Sequence, residues 1–474
     1  MSRMRKTKII CTLGPSSESV EMIEALVNAG MNVARLNFSH GTYKEHLQKI
    51  RNVKEVNAKL GTYTAIMADT KGPEIRVGDM GSGVEFKEGD IVRITPEPVT
   101  GTKECFQIKV PELFNDITVG NRILMNDGKL TMEVTEIHPD RTFSCRMLND
   151  GLLTSNKSAN VPNVKLSMPF ISEKDAEDIK FAARNDVDFI AASFTRRAED
   201  VIEIKNLLKE LGAEDIEIIA KIENQEGYDN LNEILEVADG IMVARGDLGV
   251  EVEYSLVPLF QKRMIRKANE VGKPVITATH MLESMINNPR STRAEASDVA
   301  NAVLDGSDCV MLSGESASGK YPVEAVKTMA EIALQAEAML DYRKYASKST
   351  LLSHRTKNEA IGIAVAESCL TLDDVCAVIA FTETGGTAKR IARFRPVSPV
   401  IAATNSRKTA RKLALYFGVY VVFDADITEF DFYDITAQRI ARNLNYEKGS
   451  TMIITSGWKV AHGSTNTIRF LEVE

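Results

Sequence analysis

Apolar and polar positions alternate with two different periods along this chain. Short runs rich in Val, Ile and Ala at 8–13, 32–38, 63–69, 188–194, 216–222, 240–245, 274–279 and 309–313 read as buried strands. Between them apolar residues recur at helical spacing, as at Met22, Ile23, Leu26 and Val27, or over 199–211 and 228–237. From about 75 to 165 the helical period disappears. Alternating runs at 90–95, 122–125, 130–137 and 142–148, separated by Gly, Asp, Asn and Pro, read there as a small all-β module. Eight strand–helix units with that module inserted after the third predict an α/β fold, a (β/α)8 TIM barrel of roughly 250 residues. A charged, Ser-rich stretch at 342–357 reads as a linker. Strands at 376–382, 400–404, 419–423 and 451–455, with a closing strand at 468–473, predict a C-terminal doubly wound α/β domain. The expected division is 1–70 with 168–341 for the barrel, 71–167 for the inserted β module, and 342–474 for the third domain.

Composition narrows the function classes. The 474 residues suit about three domains at roughly 150 each. With 44% apolar and 26% charged residues the chain is ordinary globular protein. It carries 58 Lys and Arg against 66 Asp and Glu, a net charge of −8, which argues against a general nucleic-acid partner. No apolar run approaches the ~20 residues a bilayer span needs. The basic N-terminus leads only into Ile9-Ile10-Cys11, so no signal peptide is read and a cytoplasmic location is expected. The six cysteines form no Cys-x-x-Cys pair and read as reduced thiols. His-Glu-x-x-His, Gly-x-Ser-x-Gly and Walker motifs are absent from the sequence, which removes several hydrolase and nucleotide-binding readings.

Barrel enzymes place their chemistry at the C-terminal ends of the strands. Six of the predicted strands end in charged or hydroxyl residues: Arg35 to Gly41, Asp69 to Arg76, Lys221 to Asn224, Arg245 to Asp247, Thr279-His280, and Ser313-Gly314-Glu315. One such end is an ordinary solvated junction, but six together point to a site. Lys221 and Glu223 are two apart and share a strand face, and Asp247 ends the adjacent strand. Two carboxylates suit Mg²⁺, which keeps waters and takes substrate oxygens, and a neighbouring Lys can neutralise a phosphoryl group or an enolate. A buried Lys–Glu ion pair is the alternative. Asn37, Ser39, Asp69 and Thr70 offer only oxygens with one carboxylate, which suits a monovalent cation or, equally well by spacing, an Asp capping a turn. Arg35 and Arg76 flank them as candidates for bidentate phosphate binding.

The runs at 35–41, 69–76, 221–227, 240–251, 277–301 and 310–317 together resemble those of the pyruvate kinases. Lys-Ile-Glu-Asn-Gln-Glu-Gly at 221–227 and Gly-Ile-Met-Val-Ala-Arg-Gly-Asp-Leu-Gly at 240–249 carry the resemblance most specifically. It implies phosphoryl transfer from phosphoenolpyruvate to ADP, the final step of glycolysis, with Mg²⁺ (or Mn²⁺) and K⁺ as cofactors. It also implies a homotetramer, with no nucleic-acid or membrane partner. By resemblance, Lys221 would stabilise the phosphoryl group, Glu223 and Asp247 would hold Mg²⁺, and Asn37, Ser39, Asp69 and Thr70 would hold K⁺. Arg35 would grip phosphoenolpyruvate, with Gly246, Asp247 and Thr279 about its carboxylate. Asn37, His40, Arg76 and Lys157 would meet ADP or ATP, Ser313 and Glu315 would lie near the proton path, and the β module would be a lid. Glu74 marks the members that need K⁺. Two positions depart from the family pattern: His280 stands where Gln is usual, and Ser318 where Lys is common. The chain ends at Glu474, which fits bacterial members without an additional C-terminal domain.

Thr382, Thr384, Gly385, Gly386 and Thr387 join a strand to a helix and read as a phosphate cradle, the position where the family binds a phosphorylated effector. Eight Lys or Arg between 383 and 415 read as a solvated basic helix face or as part of that site. No counterpart of the Trp and Arg of fructose 1,6-bisphosphate-responsive members is read around 423–434, which leaves sugar monophosphates and AMP open as effectors. A Mg²⁺-dependent aldolase or lyase acting on pyruvate enolate is the competing enzyme reading. It has no use for the β module, the Asn37–Thr70 oxygens or Lys157. A non-catalytic metabolite sensor is the other alternative, though it would be expected to lack Lys221 or a metal carboxylate.

Overall fold

The structure is a computed structural model that describes residues 4–347, 356–424, 427, 433–457 and 465–474. Eight parallel strands close a barrel: β1 (Lys8–Thr12), β2 (Val33–Asn37), β3 (Ala65–Asp69), β4 (Phe189–Ala192), β5 (Glu217–Ile222), β6 (Gly240–Ala244), β7 (Val275–Ala278) and β8 (Cys309–Leu312). Each lies at a predicted position, shortened by one to three residues. The predicted helix at 228–237 is two helices, Gln225–Asp229 and Leu231–Val237, meeting at Asn230, whose side chain donates to the Arg196 carbonyl at 3.0 Å.

The strands bury both faces, so their side chains divide by parity. Ile10, Val33, Met67, Phe189, Ala191, Ile219, Met242, Ile276 and Met311 pack together as the barrel interior. The intervening residues, among them Ile9, Leu36, Ile66, Ile190, Ile218, Ile241 and Val310, pack against the surrounding helices. Following the interior parity toward the C-terminal ends, the apolar layers give way to Thr12, Arg35, Asp69, Ser193, Lys221 and Glu223. A polar layer thus sits on an apolar plug, at the end where a TIM barrel places its chemistry.

The inserted module is a seven-stranded sheet with a further strand pair, built on its own core of Val77, Phe86, Val92, Phe106, Ile123, Met132 and Phe143. The chain enters it through Gly72, whose φ is +73°; a Cβ there would meet Ser193 at 2.8 Å, so only glycine fits. Arg196 pins the returning segment by donating to the carbonyls of Leu166 and Met168.

The C-terminal region holds a five-stranded sheet: β9 (Val375–Phe381), β10 (Val400–Thr404), β11 (Val419–Phe423), β12 (Thr451–Ser456) and β13 (Thr467–Glu472), in the order β11-β10-β9-β12-β13 with only β13 antiparallel. The stretch expected to be a linker begins as a helix, Tyr342–Ser347, in which Tyr345 is buried against Leu340 and Phe417; positions 348–355 lie outside the described residues. The segment inspected for effector-specific residues, 423–434, is likewise largely outside them. The six cysteines are free thiols, and no helix among the described residues is long and apolar enough to cross a membrane.

Candidate active site

The polar layer is one connected network. Arg35 Nε donates to Asp69 Oδ2 at 2.6 Å and its Nη1 donates to Thr12 Oγ1 at 2.8 Å. Lys221 Nζ donates to Ser193 Oγ at 2.7 Å and to Asp69 Oδ1 at 3.1 Å, and lies 3.0 Å from Glu223 Oε1. All of these side chains are buried. Burial pushes the Asp69 carboxyl up, but Arg35 and Lys221 outweigh it and hold it below its ordinary value. Burial lowers Lys221, but Asp69 and Glu223 overcome this and raise it, so the ammonium stays charged. Glu223 is pushed up to about 8, first by burial and further by Asp247 and Asp69, against the pull of Lys221.

Backbone strain aims groups into this layer. Phe194, Thr279 and His280 all have left-handed φ, 54°, 66° and 53°. The Phe194 amide thereby donates to Glu223 Oε2 at 2.6 Å. Thr279 Oγ1 accepts from the Gly246 amide at 2.8 Å, tying the end of β7 to the helix Arg245–Glu251 that carries Asp247. Arg245 braces the same turn by donating to the Thr279 carbonyl at 2.6 Å and to Asp298 at 2.7 Å.

The expected ion pair between Lys221 and Glu223 is present, yet it does not use up the carboxylate. Glu223 Oε1 is buried and makes no hydrogen bond, despite its nearness to Nζ. A buried acceptor met by one ammonium and by no hydrogen bond can take a further partner. Asp247 is exposed on the neighbouring wall. Among the described residues no three His, Cys, Asp or Glu form a cage. Glu223, buried, and Asp247, on the cleft wall and close enough to raise the Glu223 carboxyl, are two carboxylates that fit Mg²⁺, which completes its shell with water and substrate oxygens.

The four oxygens expected for a monovalent cation are gathered differently. Asn37 and Asp69 face each other in the β2–β3 register, and Ser39 and Thr70 lie in the turns that follow. Asn37 Oδ1 accepts from the Ser39 amide at 3.1 Å, and Thr70 Oγ1 donates to the Ala191 carbonyl at 3.3 Å. The donor set is all oxygen, as K⁺ requires, with Asp69 shared between this corner and Lys221.

His40, Arg76, Lys157 and Asp247 line one cleft of about 630 Å³ between the barrel mouth and the β module, together with Glu74, Asn160 and Glu251. That volume accommodates a nucleotide. Arg76 is held by Glu74 at 2.7 Å and by the Asn156 carbonyl at 2.8 Å, and Lys71 lies 3.4 Å from Glu74. Burial pushes Glu251 up to about 7. Glu315 is buried, and both its oxygens accept backbone amides, from Leu282 at 3.0 Å and Ser313 at 2.8 Å. Geometrically, then, Ser313 and Glu315 clasp the β7 and β8 loops together. His280 is exposed, 4.0 Å from Glu283.

Ser193 and Thr12 were missed among the sequence candidates, although the rule that found the others, a polar residue at a strand's C-terminal end, applies to both. Ser193 links Lys221, Asp69 and the Thr70 carbonyl at 2.7 Å.

The effector-candidate turn lies elsewhere, in the C-terminal region. Gly385 caps the helix Gly386–Ala392 with φ +87°, and Thr387 Oγ1 is buried against Thr465 Oγ1 at 2.9 Å. The basic stretch that follows is not a solvated face. Five of its eight cations reach acids of the barrel: Lys389 and Lys412 at Glu217 (2.6 and 3.9 Å), Arg395 at Asp308 (3.4 Å), Lys408 at Asp186 (3.2 Å), and Arg411 at Asp188 (2.8 Å). These acids sit at the N-terminal ends of β4, β5 and β8, so the C-terminal region docks on the end of the barrel opposite the polar layer.

Two family models match this chain: residues 4–326 match the one described as pyruvate kinase, barrel domain, and residues 359–471 the one described as pyruvate kinase, alpha/beta domain. The pyruvate kinase of Staphylococcus aureus strain MRSA252 is 50% identical, covering 99% of this chain and 80% of its own length. The pyruvate kinase of strain USA300 is likewise 50% identical over the same shares.

Proposed function

The chain belongs to the pyruvate kinase family, and from that premise we propose how its residues divide the work of moving a phosphoryl group from phosphoenolpyruvate to ADP. The observation that carries the assignment is Lys221, charged and buried at the barrel mouth beside Glu223, whose Oε1 makes no hydrogen bond beyond that ion pair. Lys221 and Arg35 neutralise the phosphoryl oxygens in flight, and Asp69 and Ser193 hold Lys221 in place. Glu223 and Asp247 hold Mg²⁺ (or Mn²⁺), which supplies a compact positive charge to the phosphate oxygens. Thr279, with Gly246 and Asp247, orients the carboxylate of phosphoenolpyruvate. When the phosphorus–oxygen bond breaks, the enolate left behind takes a proton at its methylene carbon, and Thr279 lies on that side. His40, Arg76 and Lys157, with Asn37, receive the nucleotide in the cleft. The β module, residues 71–167, acts as a lid over the barrel of 1–70 and 168–341, excluding water that would hydrolyse the phosphoryl group. Asn37, Ser39, Asp69 and Thr70 hold K⁺. Ser313 and Glu315, through their clasp, keep the loop behind Thr279 in position.

We also propose that the protein is a cytoplasmic homotetramer acting at the last step of glycolysis. Its C-terminal region, 342–474, takes a phosphorylated effector at Thr382, Thr384, Gly385, Gly386 and Thr387. With the Thr387 hydroxyl occupied by Thr465, the Thr384 side chain and the glycine amides are left to carry that role. Thr384→Glu places a carboxylate in the turn, and activation by sugar monophosphates or AMP should vanish; persistence would misplace the site. The aldolase or lyase reading and the sensor reading are set aside: the family and the cleft shared with the β module favour the kinase. The direct test is pyruvate formation from phosphoenolpyruvate and ADP with Mg²⁺ and K⁺ present; absence of pyruvate would refute the proposal.

A further inference from the structure

The body of the β module, residues 75–161, touches the barrel through very little. Among the described residues one hydrogen bond joins them: Asn160 Nδ2 donates to Glu251 Oε1 at 2.6 Å. Among the described residues no ion pair crosses that gap. Nearby, a Cβ on Gly128 of the module would lie 3.8 Å from Val250 of the barrel, so the two surfaces meet here without interlocking.

Each partner belongs to a rigid unit that carries nucleotide-facing groups. The strand Ser158–Asn160 pairs with Ile75–Arg76 and with Arg122–Met125, in the register Ser158 to Arg76 and Asn160 to Leu124. Arg76, Lys157 and Asn160 therefore move together. Glu251 ends the helix Arg245–Glu251, one turn beyond Asp247. Asp247 and Glu251 form the opposite wall of the same cleft. The hydrogen bond thus spans the cleft and joins its two walls.

We propose that Asn160 and Glu251 are positioning residues, a latch that sets how closely Arg76 and Lys157 on the module approach Asp247 on the barrel, and so tunes binding of the nucleoside diphosphate. The inference rests on reading the β module as a lid. Because Arg35, Lys221 and Thr279 all stand on the barrel, the latch acts on the nucleotide and leaves the binding of phosphoenolpyruvate alone.

That split gives the test. In full-length protein Glu251→Ala should raise the KM for ADP on the order of tenfold, the worth of one hydrogen bond to a carboxylate. The KM for phosphoenolpyruvate should stay within about twofold. Glu251→Gln keeps an oxygen that accepts from Asn160 and should recover most of the loss. Asn160→Ala, on the module, should reproduce the effect without touching the barrel, and the double variant should be no worse than either single one. An unchanged KM for ADP, an equal rise in both KM values, or additive single variants would each overturn the latch. A failure of the underlying reading would look different: the wild type itself would form no pyruvate, and the latch would fall with it.

Discussion

Both ends of the barrel bury charge, but they bury it in different ways. At the N-terminal end several barrel acids find cations from the C-terminal region, as Asp188 does in Arg411, Asp308 in Arg395 and Glu217 in Lys389. These pairs hold two parts of the molecule together. At the C-terminal end the charges come from the barrel's own strands and share partners, with Asp69 serving Arg35, Ser193 and Lys221 at once. There Glu223 Oε1 has only the Lys221 ammonium beside it, at 3.0 Å, and the left-handed Phe194 turns its amide onto Oε2. Charge paired between two parts of the chain makes an interface. Charge gathered from several strands at the barrel mouth, beside a cleft, makes a site, because its field is available to something that arrives later.

Substitutions at the two ends should therefore fail in different ways. Glu223→Gln keeps the acceptor for the Phe194 amide but removes the charge proposed to hold Mg²⁺. Turnover should fall on the order of a thousandfold, with a raised Mg²⁺ requirement; an unaltered Mg²⁺ dependence would remove Glu223 from the metal site. Next in size is K⁺. Replacing it by a large organic cation at equal ionic strength, with Mg²⁺ fixed, should lower activity sharply. Glu74→Lys should recover part of it, since an ammonium beside Lys71 and Arg76 adds positive charge at the same rim. Equal activity with and without K⁺ would refute the role of Asn37, Ser39, Asp69 and Thr70.

The smallest effect belongs to the opposite end and should appear in stability, not rate. Burial raises Asp188 to about 6 from its ordinary 3.8, against the pull of Arg411. Between those values the unfolded chain ionises while the folded one keeps its proton, so stability falls as pH rises through that window. Asp188→Asn removes this slope and should gain on wild type by on the order of 3 kcal/mol between pH 4 and 7. Arg411→Gln should do the reverse, costing most above pH 6 and little near pH 4. Urea midpoints across this range check both, and turnover at saturating substrate should stay within about twofold. A difference from wild type that does not change with pH in either variant would mean that the pair does not titrate with folding.

The strand periodicity made the barrel legible, since each unit repeats one pattern of apolar runs and helical spacing. The candidates at strand ends were legible for the same reason: parity and position place Arg35, Asp69, Lys221 and Glu223 in one layer. Ser193 escaped because a lone serine in Ala-Ala-Ser-Phe carries no charge to mark it, and its importance comes from contacts across two other strands. The left-handed turns at Phe194 and Thr279 were invisible because neither residue type favours such backbone. The docking of the basic stretch at 389–412 was not legible because its acidic partners lie some 80 to 220 residues away in the chain. Local composition shows a cation but not what it will face.

The most direct test of the account is Lys221→Met, followed by two readouts on the same preparation. Pyruvate formation from phosphoenolpyruvate and ADP should drop on the order of a thousandfold, because the charge that meets the phosphoryl group is gone. Exchange of the pyruvate methyl protons with solvent, monitored by NMR, should continue, because the carboxylates for the metal and Thr279 remain. Near-normal pyruvate formation by the variant would contradict the account and return Lys221 to the role of a buried ion-pair partner.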